Sequence, residues 1–194
     1  MQRRHIKPPK IWLMSDPRLG EGLLRAVQRL PAGSGVVFRH YALDDAAREL
    51  LFRQMRRICA RRGHSLFLAG DERQAQRWRA DGFHDRTGKR ARSRLKRSAA
   101  VHNIRELIAA KHARADYLFI SPLYATRSHP GARALGPAAF RQLALRRGQA
   151  LVIALGGMSA AKAAMQDRRV VHGWAAIDSL DVKPKNQKRI LVPT

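Results

Sequence analysis

Residues 152–165, VIALGGMSAAKAAM, join a wholly apolar stretch to an alanine-rich one through two adjacent glycines. The four apolar residues before the glycines favour a strand that is buried on both faces, as strands are in a parallel sheet covered by helices. Gly156 and Gly157 allow the backbone to bend tightly and to approach a ligand closely, and Ser159 is a good N-cap for the helix that follows. Such a turn offers backbone N–H groups to an anion such as phosphate, and it also occurs as an ordinary strand-to-helix turn.

Short apolar runs recur along the chain and alternate with stretches of helical periodicity. The candidate strands are Ile11–Met14, Val36–Phe38, Ser65–Ala69, Gly82–Phe83, Ala99–Val101, Tyr117–Ile120, Leu151–Leu155 and Val171–Ile177. The candidate helices are Leu43–Arg61, Glu72–Arg79 capped by Asp71, Ile104–Ala113 capped by Asn103, Gly136–Arg147, and the segment after Ser159. This alternation predicts a parallel α/β fold. Eight strands favour a compact closed (β/α)₈ TIM barrel with short loops over an open sheet. We expect one barrel domain over residues 1–180 and a basic tail over 181–194.

The charge balance is strongly basic. Lysine and arginine number 39 against 14 aspartate and glutamate residues, for a formal net charge of +25. Such a field attracts polyanions, so nucleic acid and phosphorylated small molecules are both candidate partners, and a solvated basic surface is the alternative. The densest basic run, RTGKRARSRLKR at 86–97, lacks interleaved aromatic residues. It therefore predicts an exposed helix or loop rather than a stacking platform for single-stranded nucleic acid.

Composition narrows the class of protein further. No apolar run approaches the roughly 18 residues that cross a membrane, and the apolar stretch near the N-terminus is too short for a signal peptide. Cys59 is the only cysteine, which excludes an internal disulfide and a thiolate zinc cluster. Its arginine-rich surroundings would lower the pKa of the thiol, unless Cys59 is a partly buried structural residue. The 6% aromatic content favours an aliphatic core. We expect a cytoplasmic protein.

Candidate functional residues follow the predicted strands. In a TIM barrel, active residues lie at the carboxyl ends of the strands and in the loops after them. These positions hold Arg39, Asp71, His84, His102, the segment ISPLYATRSHPGARALG at 120–136, Gly156, Gly157, Asp178 and Ser179. Polar or glycine residues thus recur where a phosphate-binding barrel requires them.

Two segments, SAAVHNIRELIAAKHARADYLFISPLYATRSHPG at 98–131 and LVIALGGMSAAKA at 151–163, resemble the thiamine phosphate synthase and thiazole tautomerase superfamily. The resemblance extends from about Val36 to Leu180, and ADYLFISPLYATRSHP is its most specific element. It implies a transferase that joins a hydroxymethylpyrimidine diphosphate to a thiazole phosphate and releases pyrophosphate. It also implies a Mg²⁺ cofactor and a carbocation-like pyrimidine, for which charge stabilisation and positioning matter most.

The resemblance implies a role for each matching residue. Arg39 matches a diphosphate contact, Asp71 a magnesium ligand, Thr126 and Ser128 the hydroxyls of the substrate-binding loop, and Gly157 the turn that binds the thiazole phosphate. The neighbouring Arg127, Gly156 and Ser179 are further candidate phosphate-binding residues. His102 matches the histidine that acts as acid–base catalyst in the tautomerase branch. Because the synthases also carry a histidine there, a structural or capping His102 is the alternative.

Several positions depart from the family pattern. The sequence has Val37 and Tyr41 for a glutamine and a lysine near Arg39, Gly70 for an asparagine, Lys89 for a second magnesium carboxylate, Ser121 for a glycine, His129 for a lysine and Asp178 for a serine. The expected magnesium site is therefore weakened, with Asp85 as a possible replacement carboxylate and neighbouring arginines as replacement cations. Two other hypotheses stay open: a tautomerase-like isomerase that needs no metal, and an inactive barrel that binds a phosphorylated ligand or nucleic acid.

Overall fold

The structure is a computed structural model of the 194-residue chain, and it describes residues 7–85, 92–126, 133–177 and 180. The strands are β1 (Ile11–Met14), β2 (Gly35–Phe38), β3 (Ser65–Ala69), β4 (Gly82–Asp85), β5 (Lys96–Val101), β6 (Tyr117–Ile120), β7 (Leu151–Ala154) and β8 (Gly173–Ala176). The helices are α1 (Gly22–Arg29), α2 (Asp45–Arg62), α3 (Glu72–Arg77), α4 (Ile104–His112), α5 (Gly136–Leu145) and α6 (Ala160–Ala164). A 3₁₀ turn, Pro17–Leu19, precedes α1.

All eight strands run parallel and close into a barrel in chain order. β1 completes the closure, because Leu13 lies opposite Val36 of β2 on one side and opposite Ala176 of β8 on the other. The predicted (β/α)₈ barrel is therefore confirmed.

The bounds of β1, β3 and β6 coincide with the prediction, because mostly apolar runs give a strong strand signal in a parallel sheet. The other strands differ from their predicted bounds by one to three residues, and one helix was not predicted. β5 begins at Lys96, three residues before the predicted start at Ala99. α1 was not predicted, and this eight-residue helix buries Leu23, Ala26 and Val27.

Side-chain caps begin four of the helices. The cap residues are Asp44 for α2, Asp71 for α3, Asn103 for α4 and Ser159 for α6, each accepting a hydrogen bond from the backbone N–H three residues later. The last three confirm the predicted caps, and such a cap stabilises a helix by about 0.5–2 kcal/mol. Within the described segments, none of the helices combines the length and the apolar character needed to cross a bilayer.

Four aromatic residues pack together in a barrel interior that is otherwise lined by aliphatic side chains such as Met14, Val37 and Ile153. Trp12 of β1 packs edge-on against Phe67, Tyr117 and Phe119, with ring centroids 5.1, 5.1 and 5.3 Å away. A Cβ at Gly35 of β2 would overlap the Trp12 ring, so the glycine makes room for it. Four aromatic residues thus meet inside the barrel, and others, such as Phe52 and Trp78, pack in the outer layer.

A second apolar layer separates the outer faces of the strands from the helices. Arg97 lies in this layer and is only 2% exposed, so the predicted exposure of the basic run is wrong at this position. Cys59 of α2 is also buried there, which confirms the structural alternative. Burial raises the pKa of the Cys59 thiol to about 12, opposite to the lowering that its arginine-rich surroundings predicted.

Candidate functional site

The residues predicted for the site converge on one end of the barrel. Because the strands are parallel, their carboxyl ends form a single rim. Arg39, Asp71, His102 and Gly156 closely follow β2, β3, β5 and β7, and Thr126 lies in the segment after β6. The predicted residues Arg127, Ser128 and Ser179 lie outside the described residues, as do Lys89, His129 and Asp178.

Arg39 is anchored at this rim by the two residues that follow β1. Its Nε donates to the backbone oxygen of Ser15 at 2.8 Å, and its Nη2 donates to Asp16 Oδ2 at 3.2 Å. Its backbone N–H donates to Ser15 Oγ at 2.8 Å. Among the described residues, Nη1 of Arg39 has no acceptor. A guanidinium held along one edge and open at the other is suited to a phosphate oxygen.

The charges around Arg39 are well defined. The hydrogen bond from the Arg18 side chain is the main cause that lowers the pKa of Asp16, and the charge of Arg39 adds to it. Burial lowers the pKa of Arg39, while Asp16 opposes that effect. Arginine side chains stay protonated in proteins, so Arg39 stays a cation. Ser15 and Asp16 were missed by the sequence analysis, although they directly follow the first predicted strand.

Asp71 is an exposed carboxylate with a defined orientation. Its Oδ1 accepts the backbone N–H of Gln74 at 2.8 Å as the cap of α3. In the described part of the chain no three His, Cys, Asp or Glu side chains are grouped so that they could hold a metal ion. Magnesium is commonly bound by one or two carboxylates together with substrate phosphates and water. Among the described residues, the single carboxylate of Asp71 fits a magnesium ion whose other ligands are substrate phosphates and water.

Asp85 does not replace the missing second carboxylate. Its Oδ1 accepts from Nη2 of Arg97 at 2.6 Å and from Nε of the same side chain at 2.8 Å. The neighbouring His84 faces the barrel interior, where its Nδ1 lies 2.9 Å from Ser98 Oγ. Alternation along β4 therefore directs Asp85 outward, between strand and helix. The suggestion that Asp85 serves as a magnesium ligand is wrong.

His102 forms an acid–base pair with Glu106. Glu106 Oε2 lies 2.7 Å from His102 Nδ1 and also accepts the backbone N–H of His102 at 2.7 Å. The Glu106 backbone N–H in turn donates to Asn103 Oδ1, so one turn of α4 holds both side chains. The His102 side chain is 41% exposed. A carboxylate at Nδ1 fixes the ring orientation and leaves Nε2 for a proton transfer.

The double-glycine turn packs closely against the segment after β6. Gly156 has a φ of +93° and Gly157 a φ of +61°. A Cβ at Gly156 would lie 2.6 Å from Pro122 Cα, and one at Gly157 would lie 2.5 Å from Ala125 O. The backbone N–H of Tyr124 donates to Gly156 O at 3.1 Å. Both glycines are therefore required by the approach of two loops, whether or not a ligand is bound.

Lys162 contacts both of these loops, and the sequence did not predict it. Its Nζ donates to Gly157 O at 2.8 Å and lies 4.5 Å from the centroid of the Tyr124 ring. The sequence signal was weak, because a single lysine in an alanine-rich helix is usually solvent-exposed. The contact adds a cation to the region around the turn.

The fold and this rim define a (β/α)₈ barrel with polar groups gathered at the carboxyl ends of its strands. Thiamine phosphate pyrophosphorylase from Pyrococcus furiosus has a similar structure, with a TM-score of 0.71 and 20% identity over 89% of this chain and 90% of that one. The 2-keto-3-deoxy-6-phosphogluconate aldolase of Zymomonas mobilis has a TM-score of 0.58 and 12% identity over 88% and 82%. At these identities the likenesses show the fold alone.

Sequence comparison identifies the family. The thiamine monophosphate synthase model matches residues 13–180. The thiamine-phosphate synthase of Geobacillus kaustophilus is 32% identical over 151 residues, which cover 74% of this chain and 68% of that protein. The thiamine-phosphate synthase of Thermosynechococcus vestitus is 33% identical over 144 residues, which cover 69% of this chain and 40% of that protein. The chain belongs to the thiamine monophosphate synthase family.

Proposed function

We propose that the protein is a transferase that joins a hydroxymethylpyrimidine diphosphate to a thiazole phosphate and releases pyrophosphate. The observation that carries the proposal is the anchored guanidinium of Arg39, with one edge open at the carboxyl-end rim. Its support is a family match that spans residues 13–180 and so includes the whole rim from β2 to β8.

The proposed reaction exchanges one bond at a methylene carbon. The C–O bond between the pyrimidine methylene and the diphosphate breaks, and its electron pair leaves with pyrophosphate. The thiazole nitrogen supplies the electron pair of the new C–N bond. Arg39 donates to the diphosphate through its open edge and stabilises the growing negative charge. Ser15 and Asp16 hold the guanidinium in place beforehand, which reduces the entropy lost on reaching the transition state.

Asp71 is the residue proposed to bind magnesium together with the diphosphate. A bound magnesium ion neutralises charge on the departing pyrophosphate. The cap hydrogen bond from Gln74 orients the Asp71 carboxylate before the substrate arrives. We assign the thiazole phosphate to the turn of Gly156 and Gly157 and to Thr126, together with Arg127, Ser128 and Ser179.

The His102–Glu106 pair favours a second candidate function, a metal-independent isomerase of the thiazole tautomerase type. An imidazole oriented by a carboxylate moves protons efficiently near neutral pH. This activity requires neither Arg39 as a diphosphate contact nor Asp71 as a magnesium ligand, so the departures from the family pattern leave it intact.

A turnover assay on the purified chain tests the proposed transferase. Supplied with the pyrimidine diphosphate, the thiazole phosphate and Mg²⁺, the protein is expected to form thiamine phosphate. Asp71→Asn keeps the α3 cap and removes the charge, so we expect a loss of about 100-fold or more. Asp44→Asn makes the same change at the α2 cap and is expected to retain activity. Equal rates for Asp71→Asn and wild type would refute the role of Asp71.

Metal independence distinguishes the isomerase from the proposed transferase. If the wild type forms no thiamine phosphate, the transferase proposal fails. Isomerisation of a thiazole carboxylate phosphate that resists chelators, and that is lost in His102→Ala, would then support the second function. His112→Ala, an exposed histidine at the end of the same helix, is the matched control. Unchanged isomerisation in His102→Ala would remove His102 from catalysis.

A further inference from the structure

Arg48 of α2 is buried although it lies in the first turn of a surface helix. Only 7% of the residue is exposed. Arginine is almost never buried to this extent unless it has specific partners. Its partners are therefore informative about why a cation is retained in this place.

The Arg48 guanidinium forms hydrogen bonds to residues on both sides of the turn that carries Asp71. Its Nη2 donates to the backbone oxygen of Ala69, the last residue of β3, at 2.6 Å. Its Nη1 donates to Gln74 Oε1 at 3.1 Å. The Gln74 backbone N–H is the group that binds Asp71 Oδ1. Gly70 and Asp71 thus lie between two points that a single rigid guanidinium holds.

Gly70 lies close to the Gln74 amide. A Cβ at residue 70 would lie 3.0 Å from Gln74 Oε1, the atom that accepts from Arg48. A side chain at this position would therefore shift the Gln74 amide by a few tenths of an ångström. The glycine that stands where the family resemblance expects an asparagine therefore leaves room for the link between Gln74 and Arg48.

The Arg48 guanidinium also lies over aromatic rings, which offset part of the cost of its burial. Its guanidinium carbon lies 5.7 Å from the ring centroid of Phe38 and 5.4 Å from that of Trp78. Its Nε is buried and, among the described residues, has no hydrogen-bond partner. Its hydrogen bonds to Ala69 and Gln74 are both made to the segment around the Gly70–Asp71 turn, so the cation acts on the geometry of that turn.

We propose that Arg48 is a positioning residue, which fixes the Gly70–Asp71 turn so that the Asp71 carboxylate faces a metal–diphosphate complex. The inference rests on the proposed transferase function. Arg48 itself contacts neither substrate nor metal in this role, because both of its hydrogen bonds are made to the protein.

The test compares Arg48→Lys with Arg97→Lys, the matched change at a second buried arginine that is outside the site. Binding of Mn²⁺ in the presence of inorganic pyrophosphate is measured by proton relaxation, and hydrogen exchange is followed in peptides covering residues 66–78. A single ammonium cannot hold both Ala69 O and the Gln74 amide. We therefore expect Mn²⁺ affinity to fall about 10- to 100-fold in Arg48→Lys, with faster exchange in 66–78. Arg97→Lys should change neither.

Gln74→Met provides a second variant in case Arg48→Lys does not fold. It removes the Nη1 acceptor and keeps the backbone cap, and it is expected to weaken Mn²⁺ binding in the same direction. Wild-type Mn²⁺ affinity in a folded Arg48→Lys or Gln74→Met protein would overturn the proposal, even if exchange became faster. In a wild type without turnover, Mn²⁺–pyrophosphate binding that depends on Arg48 would refute the transferase and sustain the positioning role. Turnover with unchanged magnesium dependence in Arg48→Lys would support the transferase and refute the positioning role of Arg48.

Discussion

Replacing Asp85 by alanine is expected to destabilise the barrel strongly, because it breaks a buried ion pair between neighbouring strands. The Arg97 side chain is 2% exposed and the Asp85 side chain 12% exposed, with Nη2 and Oδ1 2.6 Å apart. Arg97 Nη1 also donates to Ala113 O at 3.3 Å, and the guanidinium lies 5.4 Å from the Phe83 ring centroid. The alanine variant leaves this cation buried without the Asp85 carboxylate.

The size of the effect follows from the burial. Removing one partner of a buried ion pair costs about 3–5 kcal/mol, since the other charge remains desolvated. For a chain of this length, that loss lowers Tm by roughly 6–20 °C. Replacing both residues, in Asp85→Ala with Arg97→Met, removes the stranded charge. The double variant should therefore be more stable than Asp85→Ala alone.

Urea denaturation of Asp85→Ala and of the double variant measures these differences in the free energy of unfolding. Lys96→Met is the matched control. Lys96 precedes Arg97 in β5 and pairs with Asp116 at 2.6 Å, but its side chain is 61% exposed. An exposed pair of this kind contributes at most about 1 kcal/mol. If Asp85→Ala costs no more than Lys96→Met, the argument from burial is refuted. We also expect the magnesium dependence of turnover to be unchanged in Asp85→Ala.

Three further perturbations follow from the structure. Gly157→Ala should lower the free energy of unfolding, measured in urea, more than Gly148→Ala does. The two glycines have similar φ angles of +61° and +65°, but of the two only a Cβ at Gly157 would approach a backbone oxygen, Ala125 O, at 2.5 Å. Burial lowers the pKa of His64 below 6.5, so near that pH the unfolded chain takes up a proton that the folded chain does not. The free energy of unfolding should therefore fall as the pH drops below 6.5, and it should fall less in His64→Gln. Urea titrations between pH 5 and 8, about one and a half units either side of the free imidazole pKa, measure this difference. Cys59, with a pKa of about 12, should resist iodoacetamide in the folded protein at mildly alkaline pH, as measured by mass spectrometry.

Each of these outcomes has a clear opposite. Equal losses of stability in the two glycine variants would contradict the steric argument. A pH profile that is the same in His64→Gln would show that this imidazole does not contribute to it. Rapid stoichiometric alkylation of Cys59 in the folded chain would contradict its burial.

The sequence predicted the residues that follow the strands better than it predicted their partners. Arg39, Asp71, His102 and Gly156 were placed at the carboxyl-end rim, because an apolar run shows where a strand ends and parallel strands share one rim. Ser15 and Asp16, which anchor Arg39, were missed. They precede Arg39 by 24 and 23 positions, and a linear pattern carries no signal for contacts over that distance.

The start of β5 was missed for a related reason. Lys96 and Arg97 belong to a basic run that is typical of an exposed segment, and local hydropathy excludes such residues from a buried strand. Asp116 and Asp85, 20 and 12 positions away, supply the compensating charges. These carboxylates reach the two cations only once β4, β5 and β6 lie side by side.

The sequence alone therefore determined the barrel, its strands and the composition of its rim, because the burial of alternating apolar segments is encoded locally. The tertiary structure decided how the charges are used. It paired Asp85 with Arg97 away from the site, anchored Arg39 beside Asp16, and placed Arg48 across the turn that carries Asp71. Electrostatic interactions depend on distance and burial, and both are set only when segments that are far apart in the chain come together.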